Sequence, residues 1–575
     1  MISCFALTVR FSWQGDDGSG YKKIITGDGK GLYMYLPAIF ITQDLDIQTA
    51  DDRFIFKTKG GGLNKYFAGT AISMMPFFGA GYAIAAISDA PVDGYSEPFQ
   101  KAISFAALFY LCIGLVFMSK LLQLYELKPF AICAALLLTV FGTNLLMYVV
   151  YHPAFSHIYS FAFVSMFLLY AKKFVGTKSR KHLLFMAFSL GMIVIIRPTN
   201  VLVVFMLPFL AGSFTALKEA FHAVFKLRNL LPAVFIFLAV ICIQLYLWYV
   251  QTGNPFVWSY QNEGFYFSGP QVLNVLFSFR KGWFVYTPLV LLAFGGSFFI
   301  FKKSRFQFYS LFLFFALLIY VTASWWCWYY GPSFGQRSFI EFYAITGLLL
   351  AILLNEIKYK KAILATATVL TLFNLIQSFQ YVKNILSSWN MDAEKYRYVF
   401  LKTSEEYYAA LGGCDDMLPY SQLQTLLLDT QNDYEKHYDY WNKSAVKTGK
   451  GNTVADFSGK EFNSELEMIA DDAVLRHRLL YAEVRLKYME ATASGKEGPV
   501  MAVTLSDKYN HIYHYYPFAM NGIPNDSAGV WKTGNYTIEI PHMRAAGDRL
   551  KIYVWNKYNR VFYLDDFHIR LSGID

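Results

Sequence analysis

The sequence predicts an α-helical polytopic membrane protein of about ten to eleven transmembrane helices, followed by an extramembrane β-sandwich. Three observations carry this. Of the 575 residues, 55% are hydrophobic and only 16% are charged, where a soluble domain carries about a quarter charged. The charges gather in short loops and in the last third of the chain, leaving uncharged apolar runs of about 18 residues or more. Beyond residue 445 the pattern turns to period-two alternation, which is that of strands.

Taken in order, Met1 to Trp13 is apolar but too short for about 30 Å of hydrocarbon, and Arg10 interrupts it. The topology calls for an inside-to-outside helix at this point, so a first helix only partly present in this sequence is expected. Residues 14–101 form a first outer loop. Within it, 67–88 contains Gly69, Pro76, Gly79 and Gly81, and counting it as a span inverts every later loop, so it reads as a helix on the outer face. Spans follow at roughly 102–119, 129–149, 155–171, 183–196, 200–217, 229–250, 284–301, 306–324, 342–355 and 362–382. The connections Lys120–Lys128, Lys172–Lys181, Lys218–Arg228, Lys302–Arg305 and Lys358–Lys361 are basic. Placing them inside gives a consistent alternation. That assigns the net charge of +10 to membrane orientation rather than to nucleic acid.

The membrane domain therefore covers 1–383, a helical connector 384–444, and a jelly-roll-like sandwich 445–575. Strand runs such as Leu480–Lys487, Leu550–Trp555 and Tyr563–Leu571 alternate apolar and polar residues. Trp531, Tyr553 and Trp555 either stack on sugar faces, as in a carbohydrate-binding module, or fill the sandwich. Six scattered cysteines without a CxxC pair argue against a disulfide framework or a zinc site.

Four outward segments hold residues suited to chemistry. Gly27-Asp28-Gly29-Lys30-Gly31, with Tyr33 behind it, is by its spacing an ordinary turn, or else sets one carboxylate among glycines that admit close approach of a ligand to the backbone. Asn64-Lys65-Tyr66 places a lysine where it either snorkels to headgroups or holds a phosphate. His157 and the run Arg197-Pro198-Thr199-Asn200 lie at the outer ends of two spans, and Arg197 is the lone charge between Leu183 and Leu217. An ionisable residue so placed lines a cavity or pathway. Gly335-Gln336-Arg337, with Glu341 one helical turn on, follows a Trp/Tyr-rich stretch. An arginine fork there suits a phosphate through bidentate, charge-assisted hydrogen bonds.

This ordered set resembles the GT-C superfamily of integral membrane glycosyltransferases, of the protein O-mannosyltransferase and aminoarabinose-transferase kind. The resemblance covers roughly 20–380 and rests on an outer-loop Asp, outer-face helices, a multi-span core, and an extramembrane C-terminal domain. Arg197-Pro-Thr-Asn200 and Ser333-Phe-Gly-Gln-Arg-Ser-Phe339 are similar to strings in bacterial envelope members. The family's basic residue before a proline pair matches Lys65, but Tyr66 and Phe67 stand where the prolines would be. The resemblance implies a GT-C-like fold and a sugar donor on a polyprenyl phosphate. The acceptor would be a lipid, glycan or protein of the cell envelope, reached from the outer face of a bacterial inner membrane, with a periplasmic C-terminal domain. Asp28 would be the general base or the orienter of the acceptor hydroxyl, and Lys65, Arg197 and Arg337 would bind the donor phosphate, with Glu341 orienting Arg337. No cofactor is certain from these residues. A divalent metal is left open, with the D-x-D of Asp44 and Asp46 as its candidate ligands. A transporter, flippase or polymerase of lipid-linked sugars is the alternative, although no repeat is visible in the chain.

Overall fold

The computed structural model describes residues 1–15, 18–45, 54–58, 61–261, 263–388, 391, 393–404, 407, 425–432, 445–447, 453–456, 466–477, 479–490, 499–519, 531–541, 543, 545–556 and 561–574. The chain divides into two compact units, one of Met1–Trp325 with Ser333–Val382 and one of Trp326–Pro332 with Lys383–Asp575.

The first unit is helical. Among the described residues, seven helices are long and apolar enough to cross a membrane: Gly69–Ile87, Glu97–Gln123, His157–Thr177, Leu227–Thr252, Arg305–Ser324, Arg337–Glu356 and Lys360–Val382. The protein is accordingly an integral membrane protein. Seven such helices are fewer than the expected ten to eleven: breaker residues interrupt three of the expected spans, and a fourth, 183–196, forms the 17-residue helix Arg180–Ile196. The run 129–149 is interrupted at Gly142 into Pro129–Phe141 and Leu145–Val150. Pro288 and the Gly295-Gly296 pair divide 284–301 into Trp283–Tyr286, Leu289–Phe294 and Gly296–Lys303. Pro198 opens a 3₁₀ segment, Pro198–Met206, and Gly212 in the left-handed region ends the helix Leu207–Ala211 after it. The segment expected on the outer face forms an unbroken 19-residue helix, Gly69–Ile87, which accommodates Pro76 and is itself long enough to span.

Helix packing relies on small residues, as it does where lipid supplies no hydrophobic drive between helices. A Cβ at Gly114 would lie 2.6 Å from the Phe161 ring, so the glycine lets the helices Glu97–Gln123 and His157–Thr177 touch along one face. A short antiparallel hairpin, β1 (Ile55–Thr58) and β2 (Gly61–Asn64), delivers Lys65 and Tyr66 at its end.

The second unit is built of antiparallel strands: β3 (Thr425–Asn432), β4 (Ala445–Lys447), β5 (Thr453–Asp456), β6 (Leu466–Ile469), β7 (Leu479–Glu490), β8 (Val500–Ser506), β9 (Ile512–Ala519), β10 (Lys532–Pro541), β11 (Arg549–Trp555) and β12 (Phe562–Ile574). One sheet runs β10-β7-β12-β5-β4, with β3 also on β12, and the other runs β6-β11-β8-β9. Side chains of β7, β10 and β12 share one apolar core with those of β8 and β11, including Val484, Ile538, Leu571, Val503 and Ile552, which makes the pair a sandwich. Part of the stretch expected as a helical connector is strand instead: Thr425–Asn432 pairs with β12, whose 13 residues extend beyond its β5 partner and leave an edge to be filled. Ala393–Val399 within that stretch is helical, and 408–424 and 433–444 lie outside the described residues.

Candidate functional site

Asp28 opens the short helix Asp28–Tyr33, and Gly27 before it sits at φ +54°, a left-handed conformation that glycine adopts without penalty. One turn further, a Cβ on Gly31 would fall 2.6 Å from the Tyr66 ring, so this glycine lets Tyr66 lie against the helix backbone. The Tyr66 backbone is held at two points, one of them by an Asn64 that is itself anchored. Its N–H donates to Asn64 Oδ1 at 2.9 Å, its carbonyl accepts from the Tyr35 hydroxyl at 2.8 Å, and Asn64 Nδ2 donates to the Gly31 carbonyl at 2.9 Å. The Tyr66 hydroxyl then donates to Asp28 Oδ1 at 2.7 Å.

The other carboxylate oxygen of Asp28 accepts from Arg337 at 2.5 Å. Arg337 stands where the loop 333–336 enters the helix Arg337–Glu356, and its guanidinium lies 5.1 Å from the centre of the Phe155 ring. The arginine side chain is 9% exposed and the aspartate side chain 29%, so the aspartate is the more accessible partner of the pair. Burial opposes ionisation of Asp28. Arg337, the Tyr66 hydrogen bond and nearby Lys65 outweigh it and hold the carboxyl below its ordinary range.

Phe155 also stacks on His157, at 6.3 Å between centres, and this leads to a second charged group. His157 Nδ1 is 2.9 Å from Glu341 Oε1, and Arg197 Nε is 3.4 Å from the same oxygen. Glu341 was expected to orient Arg337. It instead pairs with Arg197 and His157, because one turn of helix carries it to the start of the His157–Thr177 helix and the end of the Arg180–Ile196 helix. Asn200 Nδ2 donates to Ser160 Oγ at 2.8 Å, tying the Arg197 loop to the His157 helix. Gln336 is fully buried, and its side-chain oxygen accepts from the Ser338 hydroxyl at 3.3 Å.

Lys65 forms an ion pair with Glu263, and its ammonium lies 5.4 Å from the centre of the Tyr260 ring. The Glu263 loop is fastened to the end of Arg305–Ser324 by a bridge of Phe265 to Trp325 and by the Tyr266 N–H on the Ser324 carbonyl at 2.6 Å. The structure thus brings Asp28, Arg337, His157, Arg197, Glu341 and Lys65 into one region of loops and helix ends. Tyr33 does not face it: its hydroxyl donates to the Gly94 carbonyl at 2.5 Å in the packing behind the Asp28 helix. Asp44 is exposed after the helix Tyr35–Phe40, and Asp46 lies outside the described residues. Among the described residues no group of three or more His, Cys, Asp or Glu is placed to hold a metal ion. In the second unit Tyr553 and Trp555 alternate with the buried Leu550, Ile552 and Val554 of β11, so both rings project from the face of the sheet away from the core. Trp531 precedes β10 in the other sheet and is 37% exposed.

Sequence reasoning missed Tyr66, Glu263, Lys281 and His152 as members of this region. Lys281 donates to the Ser333 carbonyl, and His152 Nε2 is 2.9 Å from the Tyr381 hydroxyl. Burial first, then Arg337, His157 and Lys281, push His152 down to about 3, so it is a neutral imidazole at physiological pH. One signal was available. The stretch 251–283 has Glu263 as its sole carboxylate and Arg280-Lys281 as its sole basic pair, and a basic pair in an outward loop breaks the positive-inside pattern.

No protein-family model matches the chain, and no curated protein matches it. Among solved structures the chain is similar to the arabinosyltransferase EmbB from Mycobacterium smegmatis, at 11% identity and a TM-score of 0.33. The match covers 96% of this chain and 64% of that one.

Proposed function

We propose that the protein is a membrane glycosyltransferase of the GT-C kind, moving a sugar from a polyprenyl-phosphate donor to a hydroxyl of an envelope lipid, glycan or protein. The observation that carries this reading is the partly exposed Asp28 against the enclosed guanidinium of Arg337, with Lys65 and Arg197 close by, at the ends of membrane helices. Such a pairing sets a base beside an anion site. In the reaction, Asp28 takes the proton of the acceptor hydroxyl while that oxygen bonds to the anomeric carbon of the sugar. The bond from that carbon to the phosphate oxygen breaks, and the polyprenyl phosphate leaves with its negative charge held by Arg337. Lys65 and Arg197 complete the anion site. By itself, the second unit offers the ring faces of Tyr553 and Trp555 to a glycan. The site would face the periplasm of a bacterial inner membrane. The reading is tested by following radiolabel from a panel of polyprenyl-phosphate sugars in membranes containing the full chain or its Asp28→Asn variant. Transfer that needs Asp28 supports it, and no transfer from any donor refutes it.

A further inference from the structure

Two side chains bond to Asp28, and they differ in what a donor would do to them. Arg337 is a cation, and the phosphate of a lipid-linked sugar competes with Asp28 for its N–H groups. Tyr66 is a neutral donor pinned through its backbone by Asn64 and Tyr35, with its ring against Gly31. Being neutral, the phenol is not drawn off by the net charge of a phosphate as a guanidinium is. Burial first, then the neighbouring Asp28, raise the phenol well above its ordinary value, so Tyr66 remains a hydrogen-bond donor throughout the working pH range.

We propose that Tyr66 is a positioning residue: its hydroxyl keeps Asp28 aimed at the acceptor hydroxyl once donor phosphate has drawn Arg337 off the carboxylate. This rests on the sugar transfer proposed above. The site is then loaded in order, donor before acceptor, because Asp28 is free to receive a hydroxyl only after Arg337 has turned to the phosphate. The titratable and charged groups facing Asp28 are Arg337, Lys65, Tyr66, Tyr148, Tyr260 and His152.

The test is Tyr66→Phe, which removes one oxygen and keeps the ring on Gly31. Losing a hydrogen bond to the ionised carboxylate favours the protonated form. The acid limb of kcat therefore moves to higher pH, and kcat at neutral pH falls about tenfold, a fraction of the roughly 10²–10⁴-fold that a well-placed general base contributes. The donor KM stays unchanged, because the donor binds through Arg337. A second readout does not depend on turnover: carbodiimide labelling of Asp28, located by mass spectrometry in the presence of polyprenyl phosphate, should show a pH midpoint shifted upward in Tyr66→Phe. Transfer by the parent protein with an unmoved acid limb and an unmoved labelling midpoint in Tyr66→Phe overturns the role of Tyr66 and leaves the transferase standing. A shifted midpoint with no transfer by the parent protein overturns the transferase and supports the Tyr66–Asp28 pairing.

Discussion

If Asp28 and a donor phosphate compete for Arg337, neutralising the aspartate should tighten binding of the lipid phosphate while abolishing transfer. The perturbation is Asp28→Asn. In the resting site the pair is 2.5 Å apart, with the arginine 9% and the aspartate 29% exposed. A pair so placed lies between a screened surface contact and a buried one, and a charge-assisted hydrogen bond of this kind contributes about 1.5–3 kcal/mol. Asparagine still offers its amide oxygen to Arg337, but a neutral hydrogen bond contributes only about 0.5–1.5 kcal/mol. The difference, roughly 1.5 kcal/mol, is what phosphate no longer has to overcome, and each 1.4 kcal/mol corresponds to about tenfold in affinity. Titration of detergent-solubilised protein with polyprenyl phosphate lacking a sugar should therefore give a Kd about tenfold lower for Asp28→Asn than for the parent chain. Glu126→Gln, which removes an exposed carboxylate from a basic connection, serves as the control for net charge and should leave Kd unchanged. An equal or weaker affinity in Asp28→Asn would refute the competition, and so would an equal gain in the control.

Three further outcomes follow from the same geometry. Arg337→Lys replaces the fork with a point charge and should weaken polyprenyl phosphate binding about tenfold in the same titration, with little change in thermal stability. Gly31→Ala forces a methyl group to within 2.6 Å of the Tyr66 ring and 2.9 Å of Phe54, an overpacking that costs about 1–3 kcal/mol and should appear as a lower Tm in detergent. Glu341→Gln leaves Arg197 and His157 without their carboxylate in a fully buried position, a loss of about 3 kcal/mol that should appear as a larger fall in Tm than Gly31→Ala.

Much of the fold was legible because hydrophobic run length and period are local properties of the sequence. The apolar runs gave the membrane domain, and the alternation in Leu550–Trp555 gave β11 with its inward and outward faces. Continuity of the helices was harder to read, since a Gly or Pro inside a run such as 284–301 breaks or bends it according to what packs against it. Thr425–Asn432 could not be recognised as a strand from its own residues, because its partner β12 lies more than a hundred residues away. The site divides along the same line. Asp28, Lys65, Arg197 and Arg337 stood out as charges in unusual local settings, but which carboxylate each cation meets is a long-range property. Glu341 was matched to the nearer arginine in sequence when the fold gives it the farther one.

That pairing matters for how an anion would enter. Each cation assigned to the donor phosphate already has a carboxylate of its own chain: Lys65 with Glu263, Arg197 with Glu341, and Arg337 with Asp28. An incoming phosphate must displace one of them, and burial decides which. Glu341 is fully enclosed and fixed by His157 as well, so it stays on Arg197, whose side chain is 20% exposed and can face a phosphate without releasing it. Glu263 and Asp28 are about a quarter exposed and can turn toward solvent or an acceptor. On the proposed reaction, displacing Asp28 has a consequence that displacing Glu263 lacks. The leaving group comes to rest on the arginine that has just released the base, so donor binding and activation of the acceptor become a single exchange of partners.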